Sequence, residues 1–322
     1  MTSTTYEAPT PEVDLRRRGI RLGDTLFKAI ALAASLGAVV LLGLIAYKVL
    51  EIAWPAIEDF GLGFIWTNDW DPVAGVYGAL PFVYGTVVTS VIALVLATPL
   101  SIAIALFLTE IAPRRLAAPI ATMVELLAAI PSVVLGLWGI LVFGPWVRDH
   151  LEPWLESAFG FLPIFSGDPS QAGLLPATLV LTIMIIPITS AICRELFIRV
   201  PRELVDGSLA LGSTRWEAIR GVALPYAAPG IAAAVLLGLG RAFGEAIAVA
   251  QVSGGGNAVD ASWFEPVSTL GSKIALEYQG ATTQVQASSI LYLAAILMVI
   301  SLVTNVVAQL VVLRFEKARR AV

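Results

Sequence analysis

Two charged residues, Arg241 and Glu245, interrupt an otherwise apolar stretch that follows Pro225. Four residues on one helix leave two side chains only about 40° apart around the axis, so we predict that these two can pair. Arginine stays protonated, and its guanidinium can donate two parallel hydrogen bonds to an oxyanion. Two roles remain open. Arg241 could meet an anion transiently while Glu245 occupies it otherwise, or the two residues could form a structural ion pair that fixes the helix register.

The cost of placing these charges in lipid indicates what must surround them. On membrane-insertion scales each charge costs about 3 kcal/mol at mid-bilayer, while the apolar residues nearby return about 2.4 to 4.8 kcal/mol together. A helix with this balance is marginal when alone in lipid, so it should face protein or water. Gly240 and Gly244 form a GxxxG pair, which favours close packing against another helix.

Few other residues could do chemistry. Glu125 interrupts another apolar stretch and could pair with an Arg or with a group on another subunit; a purely structural role is the alternative. The single Cys, Cys193, and the single His, His150, exclude an intramolecular disulfide and a Cys/His metal site, and we expect both to be ordinary structural positions. The sequence has no GxxxxGKS or GxxxxGKT phosphate-binding loop and no nucleophile–base pair. We therefore predict no catalytic residue, no metal site and no cofactor in this chain.

The elements that must position these residues are those of a membrane protein. Apolar residues make up 57% of the 322 residues and charged residues only 14%, which argues against a soluble enzyme. Six long stretches with few charges predict six transmembrane helices. They are 29–47, a stretch within 72–109, 115–147 with Glu125 inside it, the end of 169–193, the stretch after Pro225, and 289–313. The predicted fold class is therefore an all-α polytopic membrane protein.

The distribution of charge predicts the orientation. Most Lys and Arg residues flank one side of the predicted helices, whereas the other side carries mainly Asp and Glu. Since positive residues are retained in the cytoplasm, we expect both termini to be cytoplasmic. Residues 1–24 are polar and then basic, which predicts a disordered tail, and residues 25–322 form the six-helix domain. The net charge of −4 argues against nucleic acid as a partner.

The predicted cytoplasmic loop 194–225 is long enough to have structure of its own. Pro201 suits the start of a short helix that runs through about Leu211, and Gly212 suits the left-handed conformation that ends it. Thr214 and Glu217 form a capping box that opens a second helix, which Pro225 should stop. The two helices would present Leu and Trp side chains among charges, a surface suited to the groove of another protein. A structural elbow and a DNA-reading helix-turn-helix are the alternatives.

A spaced pattern runs through this loop: Asp206-Gly207-Ser208, three residues, Gly212, nine residues, and then Val222-Ala223-Leu224-Pro225. It resembles the cytoplasmic EAA loop of bacterial ABC importer permeases, whose pattern is Glu-Ala-Ala, three residues, Gly, nine residues and Ile-x-Leu-Pro. The spacing matches throughout, but identity is limited to Gly212, Leu224 and Pro225. The resemblance implies that the loop docks into a cleft of a separate ATPase subunit, which would bind ATP and Mg.

Two further segments extend the resemblance over nearly the whole chain. Residues 125–139, which begin with Glu125, and residues 238–249, which contain Arg241 and Glu245, are similar to segments of the permeases of bacterial phosphate importers. The resemblance implies the type I ABC importer permease fold in the bacterial cell membrane. It also implies inorganic phosphate as the substrate, with Arg241, Glu245 and Glu125 along its pathway. Three partners are implied as well: a homologous second permease subunit, an ATPase dimer and an extracytoplasmic phosphate-binding protein.

We therefore expect this chain to form half of a pore that moves inorganic phosphate inward while ATP is hydrolysed on another subunit. Three alternatives stay open. A permease for sulfate or molybdate is the nearest, because nothing in the residues alone separates tetrahedral oxyanions. A secondary transporter driven by protons through Glu125 and Glu245 is the second. A membrane scaffold or signalling subunit without transport is the third.

Overall fold

The computed structural model describes residues 22–320, and these are mostly helical. The helices are α1 (Leu22–Phe60), α2 (Leu80–Leu106), α3 (Arg114–Ala129), α4 (Ser132–Trp138), α5 (Gly144–Trp146), α6 (Glu152–Phe159), α7 (Leu174–Ile198), α8 (Arg202–Ala210), α9 (Arg215–Ala218), α10 (Leu224–Gly244), α11 (Ile247–Val252), α12 (Leu270–Glu277) and α13 (Gln284–Arg320). π-Helical turns extend or join several of them, at Phe107–Ile111, Gly139–Phe143, Val147–Leu151 and Ile219–Ala223. Within residues 22–320, β-pairing is limited to two isolated bridges, Asp71 with Val76 and Gly254 with Val267.

Six of the helical stretches are long and apolar enough to cross a membrane. They are Thr25–Ile65, Leu80–Ile111, Ser132–Phe159, Leu174–Ile198, Arg215–Gly244 and Gln284–Arg314. Their number confirms the prediction of six membrane-spanning helices.

The chain divides into two compact units after Lys48. In the first unit the described residues form α1 up to Lys48, and nearly every side chain described there is exposed. A helix that is apolar on all sides and exposed on all sides requires lipid or another protein around it. Of the predicted tail 1–24, residues 1–21 lie outside the described residues, and residues 22–24 begin α1.

The second unit is built around the packing of α2 and α7. A buried cluster joins these two helices to α10 through Ala93, Ala97, Leu181, Ile185 and Ala242. Small residues allow the close approach: a Cβ atom on Gly238 of α10 would lie only 3.0 Å from Thr189 Oγ1 of α7. This packing fixes the position of α10, the helix that carries Arg241.

The segment between α1 and α2 is packed rather than free. Phe64 stacks on Tyr292 of α13 with ring centroids 4.5 Å apart, and the Tyr292 hydroxyl donates to the Gly61 carbonyl at 3.0 Å. Trp70 contacts the rings of Tyr77 and Phe82 edge to face. These aromatic contacts attach the segment to both α2 and α13.

The third predicted span, 115–147, is wrong in its boundaries. The chain leaves the helical conformation at Ile130 (φ −67°, ψ 126°) and Pro131 (φ −57°, ψ 137°), so α3 ends before the membrane-spanning stretch begins at Ser132. The physical reason is that a proline ring clashes with a helical residue before it. Pro131 therefore breaks this stretch, whereas Pro99 lies inside an α2 that stays helical around it.

Candidate functional site

The helix that carries Arg241 ends one residue before Glu245. Gly244 is the last residue of α10, Glu245 is extended (φ −76°, ψ 116°), and α11 starts at Ile247. The Glu245 carboxylate accepts a hydrogen bond from the Ala248 N–H at 3.4 Å, in the first turn of α11. A helix N-terminus favours such a negative acceptor. The prediction that Arg241 and Glu245 share one helix face as an i, i+4 pair is therefore wrong.

Arg241 has no ion-pair partner among the described side chains, which are those of residues 23–314 except 24 and 114. The ion pairs of this part of the chain include Arg148 with Asp149, Arg194 with Glu125, and Lys273 with Glu277. The Arg241 side chain is exposed on a membrane-spanning stretch. A guanidinium in that position requires an anion, water or another protein as its surroundings.

The break at Glu245 and the break at Ile130–Pro131 are connected in space, because the helices that follow them touch. α4 crosses α11 at Gly136, where a Cβ atom would lie 2.1 Å from Gln251 Oε1 and 2.8 Å from Ala248 Cα. Gln251 Oε1 is buried and has no hydrogen-bond partner among the described residues. Interrupted helices are typical of substrate sites in transporters, since their ends expose polar backbone groups within the membrane. The contact joins two segments that are far apart in the sequence, and the sequence analysis did not predict it.

Glu125 lies in α3, outside the membrane-spanning stretch to which it had been assigned. Its Oε1 atom is 3.4 Å from an amino nitrogen of Arg194 in α7. Glu125 therefore pairs with an Arg, one of the two partners that we had considered. The structure brings Glu125 to α7 rather than to Arg241.

The loop 194–225 has the two predicted short helices. α8 follows Pro201, Gly212 has the left-handed backbone (φ 93°), and Thr214 and Glu217 form the predicted capping box of α9. Asp206, Gly207 and Ser208 belong to α8, Val222 to the π-helical turn, and Leu224 and Pro225 to the start of α10. These local predictions are confirmed, while the role of the loop in docking stays a prediction.

Pro225 does not stop the second short helix. The helical conformation runs from Arg215 to Gly244 through Pro225. Just before the proline, the Leu224 N–H bonds to the Ile219 carbonyl five residues back, a π-helical hydrogen bond. The wider turn accommodates a residue that lacks an N–H and whose ring would clash with the preceding turn. The second short helix, α9, is therefore continuous with the membrane-spanning α10, whereas the bend at Gly212 separates α8 from it.

The surface of this loop is apolar at its bend. Leu211 is 91% exposed and Trp216 is 62% exposed, on the two sides of Gly212. Large apolar side chains that are this exposed are typical of surfaces that bind another molecule; for this loop, that role stays a prediction.

Lys273, a buried lysine that the sequence analysis did not single out, lies in a polar and aromatic cluster. The Lys273 ammonium donates to Asn257 Oδ1 at 2.7 Å, pairs with the Glu277 carboxylate, and lies 5.1 Å from the ring centre of Trp70. The Trp70 indole N–H in turn donates to Glu277 Oε2 at 3.1 Å. Burial lowers the pKa of the Lys273 ammonium, and the Glu277 carboxylate opposes that shift. The spacing of Lys273 and Glu277 on α12 was a sequence signal for the pair, but Trp70 and Asn257 are too distant in the sequence to be predicted.

Glu152 is a second buried acidic or basic residue, which the sequence analysis did not single out. Its side chain is fully buried; Oε2 accepts from the Ser170 N–H at 2.7 Å, and Oε1 has no partner among the described residues. This hydrogen bond connects the start of α6 to the segment before α7.

Six membrane-spanning stretches, two helix breaks that meet at one contact and an exposed, structured loop together define a polytopic membrane transport protein. The sequence matches the family described as "Binding-protein-dependent transport system inner membrane component" over residues 97–317. The chain belongs to this family, which makes it a transport component of a multi-subunit ABC transporter rather than an enzyme in itself.

Several relatives are similar to this chain over most of its length. A protein from Pasteurella multocida named "Phosphate transport system permease protein PstC" is 43% identical, over 82% of this chain and 84% of its own length. A protein of that name from Xylella fastidiosa strain Temecula1 is 39% identical over 98% of this chain and 99% of its own. A "Probable phosphate transport system permease protein PstC" from Methanocaldococcus jannaschii is 36% identical over 87% and 91%.

Two solved structures share the fold. A chain of the MetNI methionine ABC transporter in an inward-facing conformation has a TM-score of 0.53 and 17% identity, covering 77% of this chain and 99% of its own. A chain of a bacterial alginate ABC transporter has a TM-score of 0.55 and 18% identity, covering 94% and 98%. The predicted all-α ABC importer permease fold is confirmed.

Proposed function

We propose that this chain is the transmembrane permease subunit of an ATP-driven importer for inorganic phosphate and forms half of the translocation pathway. The observation that carries the proposal is the relationship to proteins named phosphate transport permeases, at 39% identity over 98% of the chain. The unpaired guanidinium of Arg241 on a membrane-spanning stretch supports an anionic substrate, since arginine binds tetrahedral oxyanions through paired N–H donors.

Arg241 and Glu245 are the proposed pathway residues. Glu245 is held by the N–H of Ala248 and not by Arg241, so the guanidinium is free to receive phosphate without displacing a carboxylate. Glu125 is proposed to act through Arg194: the ion pair neutralises a second cation that would otherwise retain the anion. Neutralising Arg194 would keep the anion from being bound too tightly, and transport requires weak binding because a tightly bound substrate is not released.

The loop 194–225 is the proposed coupling element. Its exposed residues Leu211 and Trp216 suit a docking cleft on the surface of an ATPase subunit. That subunit is the one proposed to bind ATP and Mg. Since α9 leads without interruption into α10, a pull on the loop would move the helix that carries Arg241. ATPase closure would thus switch the side of the membrane to which Arg241 is open.

The remaining assignments follow from this function. The proposed partners are a homologous second permease, an ATPase dimer and an extracytoplasmic phosphate-binding protein. The proposed location is the bacterial cell membrane with both termini in the cytoplasm, which the excess of Lys and Arg on one side of the spans supports.

Uptake competition tests the substrate. A bacterial strain that lacks this chain would be supplied with it, and uptake of labelled phosphate would be measured with excess unlabelled phosphate, sulfate or molybdate. We expect the chain to restore uptake and only phosphate to compete. Equal competition by sulfate or molybdate would contradict the assignment, and uptake that survives ATP depletion but is abolished by an uncoupler would indicate a proton-driven transporter.

A further inference from the structure

The first turn of the short helix α12 lies against the helix break that contains Glu245. A Cβ atom on Gly271 would lie 3.3 Å from the Glu245 carbonyl oxygen and 3.3 Å from the Ala246 Cβ atom, so the two segments are in close contact. The Leu270 N–H, also in this first turn, donates to Thr86 Oγ1 of α2 at 2.8 Å. α12 therefore packs directly on the backbone of a proposed pathway residue.

Two charged side chains further along α12 attach this helix to three other segments. The Lys273 ammonium donates to Asn257 Oδ1 at 2.7 Å and lies 5.1 Å and 4.9 Å from the ring centres of Trp70 and Phe82. Glu277, which pairs with Lys273, accepts from the Trp70 indole N–H at 3.1 Å. The segment before α2, α2 itself and the segment after α11 thus all contact these two side chains. We call these five residues the α12 latch.

Overall stability does not account for a charged pair at this place. The Lys273 side chain is only 4% exposed, so its charge is removed from water. The loss of hydration of a buried ion pair offsets much of its attraction, and an uncharged, well-packed pair of similar volume is often at least as stable. What directional hydrogen bonds and charges can supply is one defined arrangement of the segments that they join. The α12 latch is therefore suited to fixing the position of α12.

A cavity of about 480 Å³ gives solvent access to one side of the α12 latch. Trp70 and Asn257 line it, together with Asp69 and Asp71. α12 has eight residues, which gives it a length of about 12 Å. A change at the contacts that border the cavity would thus be carried by one short helix to the break at Glu245.

We propose that Lys273 is a positioning residue for the transport site: through the α12 latch it holds the first turn of α12 against the break at Glu245, and opening of the latch uncovers the break. The inference rests on the proposed function, in which Glu245 lies on the phosphate pathway. Lys273 acts through α12 and does not touch the anion.

Two variants open the latch in different ways. Lys273→Met combined with Glu277→Gln removes both charges but keeps an acceptor for the Trp70 indole N–H. Water in the cavity can replace the ammonium as the partner of Asn257. Asn257→Ala removes only the contact that borders the cavity. The matched control is Arg148→Met, which removes a cation whose ion pair with Asp149 is exposed.

The rate of thiol alkylation beside Glu245 measures whether the break is uncovered. Each variant would carry Gly244→Cys in a Cys193→Ser background, because a Cβ atom on Gly244 meets no described atom within 4 Å. Cells containing the whole transporter would be treated with a membrane-impermeant thiol reagent on the proposed extracytoplasmic side. The melting temperature of the purified transporter and phosphate uptake would be measured without the added cysteine.

We expect the double variant to be alkylated at least about fivefold faster and to take up phosphate at least about fivefold more slowly, at an unchanged melting temperature. Asn257→Ala should change alkylation and uptake in the same directions by a smaller factor, and Arg148→Met should change neither. If the double variant does not accumulate in the membrane, Asn257→Ala decides by the same measurements.

Unchanged alkylation in the latch variants would overturn the proposal. Faster alkylation that occurs only together with a lower melting temperature would make the cluster purely structural and would overturn it as well. If alkylation responds as expected but the wild-type transporter imports no phosphate, the α12 latch stands and the proposed function fails.

Discussion

Two glycines of the loop 194–225 allow the same chemical change to be tested with opposite expected signs. Gly207 lies inside α8, and Gly212 has a positive φ of 93° at the bend after it. A Cβ atom on either glycine would meet no described atom within 4 Å, so steric contact is not a factor. Only the backbone conformation distinguishes the two positions.

Alanine at Gly212 must adopt a left-handed conformation, which costs about 1–2 kcal/mol. Alanine at Gly207 removes a helix-interior glycine, which stabilises the helix by about 0.5–1 kcal/mol. Local opening of residues 202–218 should therefore increase about 5–30-fold in Gly212→Ala and decrease about 2–5-fold in Gly207→Ala.

Amide hydrogen exchange on the detergent-solubilised chain measures both changes directly. Phosphate uptake and recovery of the ATPase should follow the same order, with Gly212→Ala impaired and Gly207→Ala unimpaired. Equal protection of residues 202–218 in the two variants would refute the assignment of Gly212 as the conformational determinant of the bend. Full uptake in a Gly212→Leu variant that still retains the ATPase would refute the docking role of the loop.

Three further changes test other parts of the structure. Gly136→Leu should reduce thermal stability by about 1–3 kcal/mol and reduce uptake, because its side chain would meet the backbone of Ala248; an unchanged melting temperature would exclude this close crossing. Glu152→Ala should destabilise the protein by about 1–3 kcal/mol, because it leaves the Ser170 N–H unpaired. Glu152→Gln keeps an acceptor and removes a buried charge, so this variant should be at least as stable as the wild type. A higher melting temperature for Glu152→Ala than for Glu152→Gln would contradict the structure. Arg241→Gln should lower phosphate uptake at least tenfold while the transporter still assembles, and normal uptake would remove Arg241 from the pathway.

Features set by local rules could be predicted from the sequence. The six spans follow from apolar length, the left-handed Gly212 from the position of a glycine after a helix, and the cap of α9 from the spacing of Thr214 and Glu217. Each depends on residues that are neighbours in the sequence, and the structure agrees with the number of spans, the backbone of Gly212 and the cap of α9.

Features set by interruptions within an apolar run were harder to predict. An unbroken hydrophobic pattern through Glu245 suggested one helix, but Gly244 ends it and the carboxylate binds the start of the next helix. At Pro225 the sequence predicted a helix end, but the helix continues through the proline because a π-helical turn precedes it.

Contacts between residues far apart in the sequence could not be predicted. The crossing of α4 and α11 at Gly136 depends on the packing of two segments that are far apart in the sequence. The cluster around Lys273 likewise requires Trp70 and Asn257 to be brought together by the fold.

The central claim is that this chain moves phosphate only when another subunit supplies the energy of ATP. Liposomes containing the chain, its second permease and the ATPase, with the phosphate-binding protein outside and ATP inside, measure this most directly. We predict uptake of labelled phosphate that requires ATP hydrolysis and is lost in Arg241→Gln. Equal uptake without ATP under a proton gradient would contradict the account.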